Sequence, residues 1–379
     1  MIKPNLQFQN GKFTVLHVTD AQDLHYVRSS MFRMLDAAYD QLKPDLVLIA
    51  GDNILGNHIC DSRIPHGPLV KDPVKEWKSI CKAIRYLVEP IAERGIPFAV
   101  VFGNHDDSPH FSKEDMAEVY RAYPLCYGLG GEEATGDADN DCVSIFSSDG
   151  ARVAYNLWLI NSVRHTADGK SEDYVTERAV AWYKAESARF TAQNSGKPVP
   201  ALWFQHMPLA ETARVLETCD ATDRGAVKGP DGLWYRIKHG KGIMHRYPRM
   251  VERSNGEFEV IKACGDVKAV VTGHDHVNHF RTTLDGIDLI LTPCVSMRCN
   301  SNRTRGVRTF VLDEAGGYET HFYSYQDLLG TSIKTELPFL IQADGLKRER
   351  ITLACGAAAA FCVLVGGAIT AIRALTGRR

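Results

Sequence analysis

The chain has 379 residues, 44% hydrophobic and 24% charged, with a formal net charge of −2; that is enough apolar material for one large core or two smaller ones and excludes extended disorder. The last 33 residues, from Lys347, carry six Lys/Arg against one Glu, so the tail stands at +5 and residues 1–346 at −7. A net acidic body has no general attraction for a polyphosphate backbone, which disfavours nucleic acid as a partner.

The first residues hold no apolar stretch of signal-peptide length and read as mature protein. The first strand is expected over 13–19 (FTVLHVT), ending at Asp20, and an amphipathic helix over about Met31 to Leu42 comes next. DLVLIAG then forms a strand ending at Asp52, a helix covers about Val74 to Arg94, and PFAVVFG ends at Asn104. Strand and helix alternate here as in a sheet with helices on its faces, so an α/β fold is expected. Further apolar runs lie at 153–160, 201–205, 269–273 and 288–293, each leading into polar residues. Two long stretches, Asp106 to Asp141 and Ala213 to Met250, show neither period and are expected to wall a substrate pocket.

Residues 351–372 carry no charge and are flanked by Lys347, Arg348 and Arg350 before and Arg373, Arg378 and Arg379 after. At about 1.5 Å rise per residue such a run spans a bilayer core. A C-terminal transmembrane helix is therefore expected, dividing the chain into a main folded domain, 1–346, and an anchor, 347–379. Small residues at Gly356, Ala360, Gly366, Gly367 and Ala371 would let two such helices approach, so a homodimer is a further reading. Ten cysteines without a C-x-x-C pair suit a reducing compartment. With no N-terminal leader, the expected localisation is a cell membrane, with a single-pass anchor and the main domain, 1–346, cytoplasmic.

Five short motifs sit just after five β-like runs. They are TDAQ with Asp20 and Gln22, GDN with Asp52, GNHD with Asn104, His105 and Asp106, QHMP with His206, and GHDH with His274 and His276. Each alone is common; all five in this order at strand ends are not. Carboxylate and imidazole together suit Mn, Fe or Zn, and the lack of a cysteine motif among them argues against a closed structural zinc.

The set resembles the calcineurin-like metallophosphoesterases, whose pattern runs D-x-H, G-D, G-N-H-D/E, a lone His, then G-H-x-H. The wording VFGNHDD and WFQHMPL looks closest to the purple-acid-phosphatase-like branch, and the likeness covers roughly residues 13–325. The resemblance implies a four-layer αββα sandwich and two divalent metal ions. It implies that Asp20 and His276 bind the first ion, that Asn104, His206 and His274 bind the second, and that Asp52 bridges them. It also implies that His105 faces the leaving group and holds no metal, with Asp106 as the neighbouring carboxylate that would steady it.

One position departs from the pattern. Position 22 is Gln where most of the family has His, and an amide oxygen is a weaker ligand than imidazole. Asp23 and His25 offer an alternative D-x-H, but Asp20 stands directly after the strand and is preferred. Leu55 occupies the place where the purple enzymes carry a tyrosine ligand, implying a colourless enzyme. His58, His66, His110, His165 and His245 read as solvent-facing or structural, and Trp203 and Phe204 as core. Arg298 and Asn300 are candidates to reach a substrate phosphate.

The function expected is hydrolysis of a phosphoester substrate, monoester or diester, by a membrane-tethered enzyme. The alternative is a catalytically inactive, membrane-anchored scaffold that keeps the fold.

Overall fold

The computed structural model describes residues 3–60, 67–165, 171–172, 174–347, 349–352, 363, 365 and 367–368. Two sheets carry the architecture. One has six strands, in the order Tyr318–Ser324, Gly306–Asp313, Lys12–Val18, Leu46–Ala50, Phe98–Val101, Cys126–Tyr127. The other has eight, in the order Leu6–Gln7, Asp141–Phe146, Val153–Ile160, Ala201–Gln205, Val267–Thr272, Ile287–Leu291, His279–Leu284, Gly240–Ile243.

The central strands read as unbroken apolar runs because both of their faces are covered. Along Leu46–Ala50, Leu46, Leu48 and Ala50 point inward to meet Leu202, Phe204, Val271 and Ile290 of the other sheet. Val47 and Ile49 point outward, under the helices Ser29–Leu42, Pro73–Glu93 and Lys113–Arg121. The second sheet alternates likewise: Leu157 and Leu159 face inward, while Trp158, Trp203 and Val270 pack beneath Glu177–Gln193 and Glu257–Cys264. Helix, sheet, sheet and helix therefore form four layers. Helix Pro73–Glu93 begins where Asp72 caps the backbone of Val74 and proline takes the first turn, as helix-start chemistry dictates.

Lys12–Val18, Leu46–Ala50 and Phe98–Val101 run parallel, as do Val153–Ile160, Ala201–Gln205 and Val267–Thr272. The loops after their C-terminal ends are therefore brought together at one edge of the sandwich, the place where α/β sheets present their ligands' partners.

The two stretches without a readable period are partly ordered. Lys113–Arg121 is a helix with a Ser112/Asp115 capping box, and Leu216–Thr218, Val227–Lys228 and Trp234–Ile237 form a small antiparallel sheet. Strands of two to four residues are too short to show alternation.

The expected membrane anchor is corrected. Among the described residues no helix is long and apolar enough to cross a membrane. A span needs about 20 consecutive apolar residues in one helix, and most of the run 351–372 lies outside the described residues. The transmembrane helix, the single-pass membrane localisation and the cytoplasmic orientation drawn from it are therefore unsupported.

Candidate metal centre

The loops after five strands deliver Asp20, Gln22, Asp52, Asn104, His206, His274 and His276 to one point. They are stitched to each other through the main chain: Asp20 N–H donates to Gly51 O at 3.0 Å, Gln22 N–H to Asp52 O at 2.8 Å, and Gly273 N–H to His206 O at 3.1 Å. Five of the seven stand in left-handed backbone, with φ of 53° at Asp20, 30° at Gln22, 50° at Asp52, 63° at His274 and 59° at His276. Non-glycine residues avoid this region, and such strain collects at functional sites.

The glycines of the motifs make room for ligands arriving from other strands. A Cβ on Gly51 would lie 2.3 Å from the His206 ring, one on Gly103 2.2 Å from Asp52 Oδ1, and one on Gly273 2.6 Å from Asp20 Oδ2.

Two groups of donors share one carboxylate. The ligand atoms of Asp52, His206 and His274 all lie within 4.8 Å of one another, and so do those of Asp20, Asp52 and His276. His206 Nε2 is 3.2 Å from Asp52 Oδ2, and His276 Nε2 is 3.3 Å from Asp20 Oδ1. Asn104 Oδ1 stands 3.2 Å from His206 Nε2 and 3.1 Å from His274 Nδ1. Asp23, by contrast, turns its carboxylate to the backbone N–H groups of Leu24 and Arg28 and to Arg298, outside both groups.

Asp20, Asp52 and His206 are fully buried. Burial alone would raise both carboxyls, but the His276 imidazole close by holds Asp20 below its ordinary value, and His206 and His105 hold Asp52 well below it. Burial opposes charge on the imidazoles too, yet Asp52 pushes His206 up to about 9, while burial and the His206 charge bring His274 down to about 3. Two buried anions thus face each other with imidazoles as their only close counter-charges among the described residues, and Asp20 Oδ1 accepts no aligned hydrogen bond. Buried carboxylate, imidazole and amide oxygen converging with lone pairs unspent fit divalent cations.

Gln22 sits at the Asp52 side of the cluster, its Nε2 donating to Asp52 Oδ2 and its Oε1 2.8 Å from Cys299 Sγ. As oriented, the amide offers Asp52 a donor. Its oxygen would face an ion only after a flip.

His105 is half-buried, with Nε2 4.0 Å from Asp52 Oδ2. Asp106 does not hold its ring. That carboxylate accepts from the backbone N–H groups of Asn53, Ile54 and Gly103, tying the GDN loop to the GNH loop. The ring partner is Asn57, whose Oδ1 is 2.8 Å from His105 Nδ1. Asn57 carried no signal of its own beyond lying in the polar loop after Asp52. Thr19, which donates to Asp20 Oδ2 at 2.9 Å, was likewise hidden as one more strand residue. Arg298 is occupied, with Nε 2.7 Å from Asp23 Oδ1 and a second donor on Tyr26 O at 2.8 Å.

The family model described as calcineurin-like phosphoesterase matches residues 13–278. Among similar proteins, "Probable inactive purple acid phosphatase 29" of Arabidopsis thaliana is 24% identical over 303 residues, covering 75% of this chain and 68% of that protein. "Probable inactive purple acid phosphatase 28" of the same plant is 25% identical over 327 residues, covering 75% and 71%. A solved dimetal phosphatase from Danio rerio aligns over 83% of this chain and 99% of its own, with 12% identity and a TM-score of 0.48.

Proposed function

Because this chain belongs to the calcineurin-like phosphoesterase family, we propose that it hydrolyses phosphoric esters, mono- or diesters, at a centre of two divalent ions. The observation that carries the reading is Asp52, one buried carboxylate common to two groups of donor atoms. In this reading Asp20 and His276 would hold one ion, Asn104, His206 and His274 would hold the other, and Asp52 would serve both. Two such ions, when bound, lower the pKa of water and stabilise charge on the phosphoryl oxygens.

The chain's own groups do the rest. His105 faces the departing oxygen. Asn57 Oδ1 accepts from Nδ1–H and fixes the ring, leaving Nε2–H of the imidazolium free to protonate the leaving group. Asp106 acts at one remove, since its hydrogen bonds from three backbone N–H groups hold the loops that carry Asp52 and His105 in register.

The test is hydrolysis of 4-nitrophenyl phosphate and bis(4-nitrophenyl) phosphate with Mn added and after chelation, alongside metal analysis. Turnover that needs metal, with about two ions per chain, supports the proposal, and turnover indifferent to thorough chelation overturns it.

A second reading, a binding scaffold without turnover, draws on the printed names of the two plant relatives and on Gln22, which turns a donor to Asp52 where most of the family has an imidazole. Stoichiometric metal with no hydrolysis of either ester would favour it.

A further inference from the structure

Beside the metal centre lies a cavity of about 270 Å³. Gln22, His105 and His276 of the metal-centre loops are part of its lining, and Leu24, Leu55 and Leu69 make that lining partly apolar. Its charged residues are Arg246, Arg249, Arg298 and Asp344. Three of these are spoken for: Arg246 by Asp275 at 2.5 Å, Arg298 by Asp23 at 2.7 Å and Asp344 by Arg28 at 3.0 Å. Arg249 makes no ion pair with any described residue.

The main chain that carries Arg249 is held at both ends. On one side Asn278 Oδ1 accepts from the backbone N–H groups of His245 and Arg246, and its Nδ2 donates back to Arg246 O at 2.9 Å. Arg246 in turn grips Asp275, the residue between His274 and His276. On the other side Val251 N–H donates to Pro208 O at 3.0 Å, two residues beyond His206. Residues 245–251 thus form a strap from the GHDH loop to the QHMP loop, with Arg249 between its anchors.

We propose that Arg249 receives a second anionic group of the substrate, distinct from the phosphoryl group under attack. This rests on the hydrolase reading above. The scissile phosphoryl group would have the metal ions for counter-charge, whereas the adjoining cavity holds an apolar lining and, in Arg249, a guanidinium with no ion-pair partner among the described residues. The substrate class that fits is a phosphoester with a compact apolar or aromatic body and a carboxylate or second phosphate at its far end. A planar guanidinium is well matched to either group.

The test uses the Mn-loaded full chain and two non-hydrolysable probes, benzylphosphonate and 4-carboxybenzylphosphonate, titrated calorimetrically against wild type, Arg249→Gln and Arg249→Lys. Wild type should bind the carboxylated probe roughly 10-fold more tightly, a typical worth for one charged hydrogen bond. Arg249→Gln should erase that preference and leave benzylphosphonate unchanged, and Arg249→Lys should restore part of it. Equal weakening of both probes would mean that Arg249 touches the phosphoryl group itself, and no change in either would mean that it binds nothing; each result overturns the proposal. Steady-state kinetics of phenyl phosphate and 4-carboxyphenyl phosphate should show the same pattern in KM with kcat unmoved. Because the phosphonates read binding without turnover, a chain that hydrolyses nothing still tests Arg249.

Discussion

Replacing Gly51 by alanine should damage the metal centre although Gly51 holds no ion. Its φ is +88°, and a Cβ there would lie 2.3 Å from His206 Nδ1 and 2.5 Å from Cγ. Ordinary contact begins near 3.5 Å, so the ring must retreat by roughly 1 Å. His206 is fully buried with Nε2 3.2 Å from Asp52 Oδ2, so that retreat breaks the spacing of the group it shares with His274. Left-handed backbone costs a non-glycine residue about 1–2 kcal/mol, and overpacking adds about 1–3 kcal/mol. Gly265 is the control: its φ is +75° and nothing lies within 4 Å of its Cβ position, so alanine there bears the backbone cost alone. Urea denaturation should find Gly51→Ala about 2–5 kcal/mol and Gly265→Ala about 1–2 kcal/mol less stable than wild type. Calorimetric titration with Mn should find affinity about 10- to 100-fold weaker in Gly51→Ala, the range for disturbing a ligand's support, and unchanged in Gly265→Ala. If the two variants match in both measurements, the close approach of His206 is not what reserves position 51 for glycine.

Asp52→Asn and His206→Ala should each lose bound metal by elemental analysis and abolish ester hydrolysis; full turnover with metal content unchanged would sink the two-ion assignment. His105→Ala should keep its metal and slow turnover by roughly 10² to 10⁴, less for esters with good leaving groups, and loss of an ion would make His105 a ligand instead. Asn57→Ala should act through the same ring with a smaller loss, on the order of 10-fold, and no further loss when added to His105→Ala; additive effects would separate the two residues. Burial, and then Glu211 nearby, push Glu257 from 4.5 up to about 8. The folded state therefore keeps a proton that the unfolded chain has released, so stability should fall as pH rises from about 4.5 to about 8 and level off above. Denaturation at pH 5 and pH 8.5 should show Glu257→Gln relieved of a fall on the order of a few kcal/mol, and an identical fall in wild type and variant would refute the assignment.

Seven of the strands and the motif residues were legible in the sequence because both are local, whereas Asp141–Phe146, His279–Leu284, Gly306–Asp313 and Tyr318–Ser324 were not read from it. An apolar run followed by Asp, Asn or His marks a strand together with the group at its end: Asp20, Asp52, Asn104, His206 and His274 stand directly after such runs, and His276 two residues further on. Short strands within 216–237 were invisible because two to four residues cannot establish a period. Helix Glu177–Gln193 is marked only by Ala179, Tyr183, Ser187 and Phe190 at wide spacing. The apolar run at 351–372 satisfies the composition of a membrane span, but composition alone does not make a helix of that length, and among the described residues none exists.

Pairing across the fold was beyond the sequence. His105 and Asp106 are neighbours in the chain, yet the ring turns to Asn57 and the carboxylate to the backbone of Asn53, Ile54 and Gly103, because consecutive side chains at a turn point different ways. Arg298 was a candidate to reach a substrate phosphate, yet it is paired with Asp23, 275 residues away. The stretch Ala213 to Met250 was expected to wall a substrate pocket, but that Arg249 is its part of that wall follows only from Asn278, Asp275 and Pro208, which fasten the segment beside the metal centre. The sequence determined which chemical groups the chain brings and at which strand ends they stand. Which of them touch and which are already paired were decided by the packing of two sheets, since a distance through space between residues far apart in the chain has no local signature.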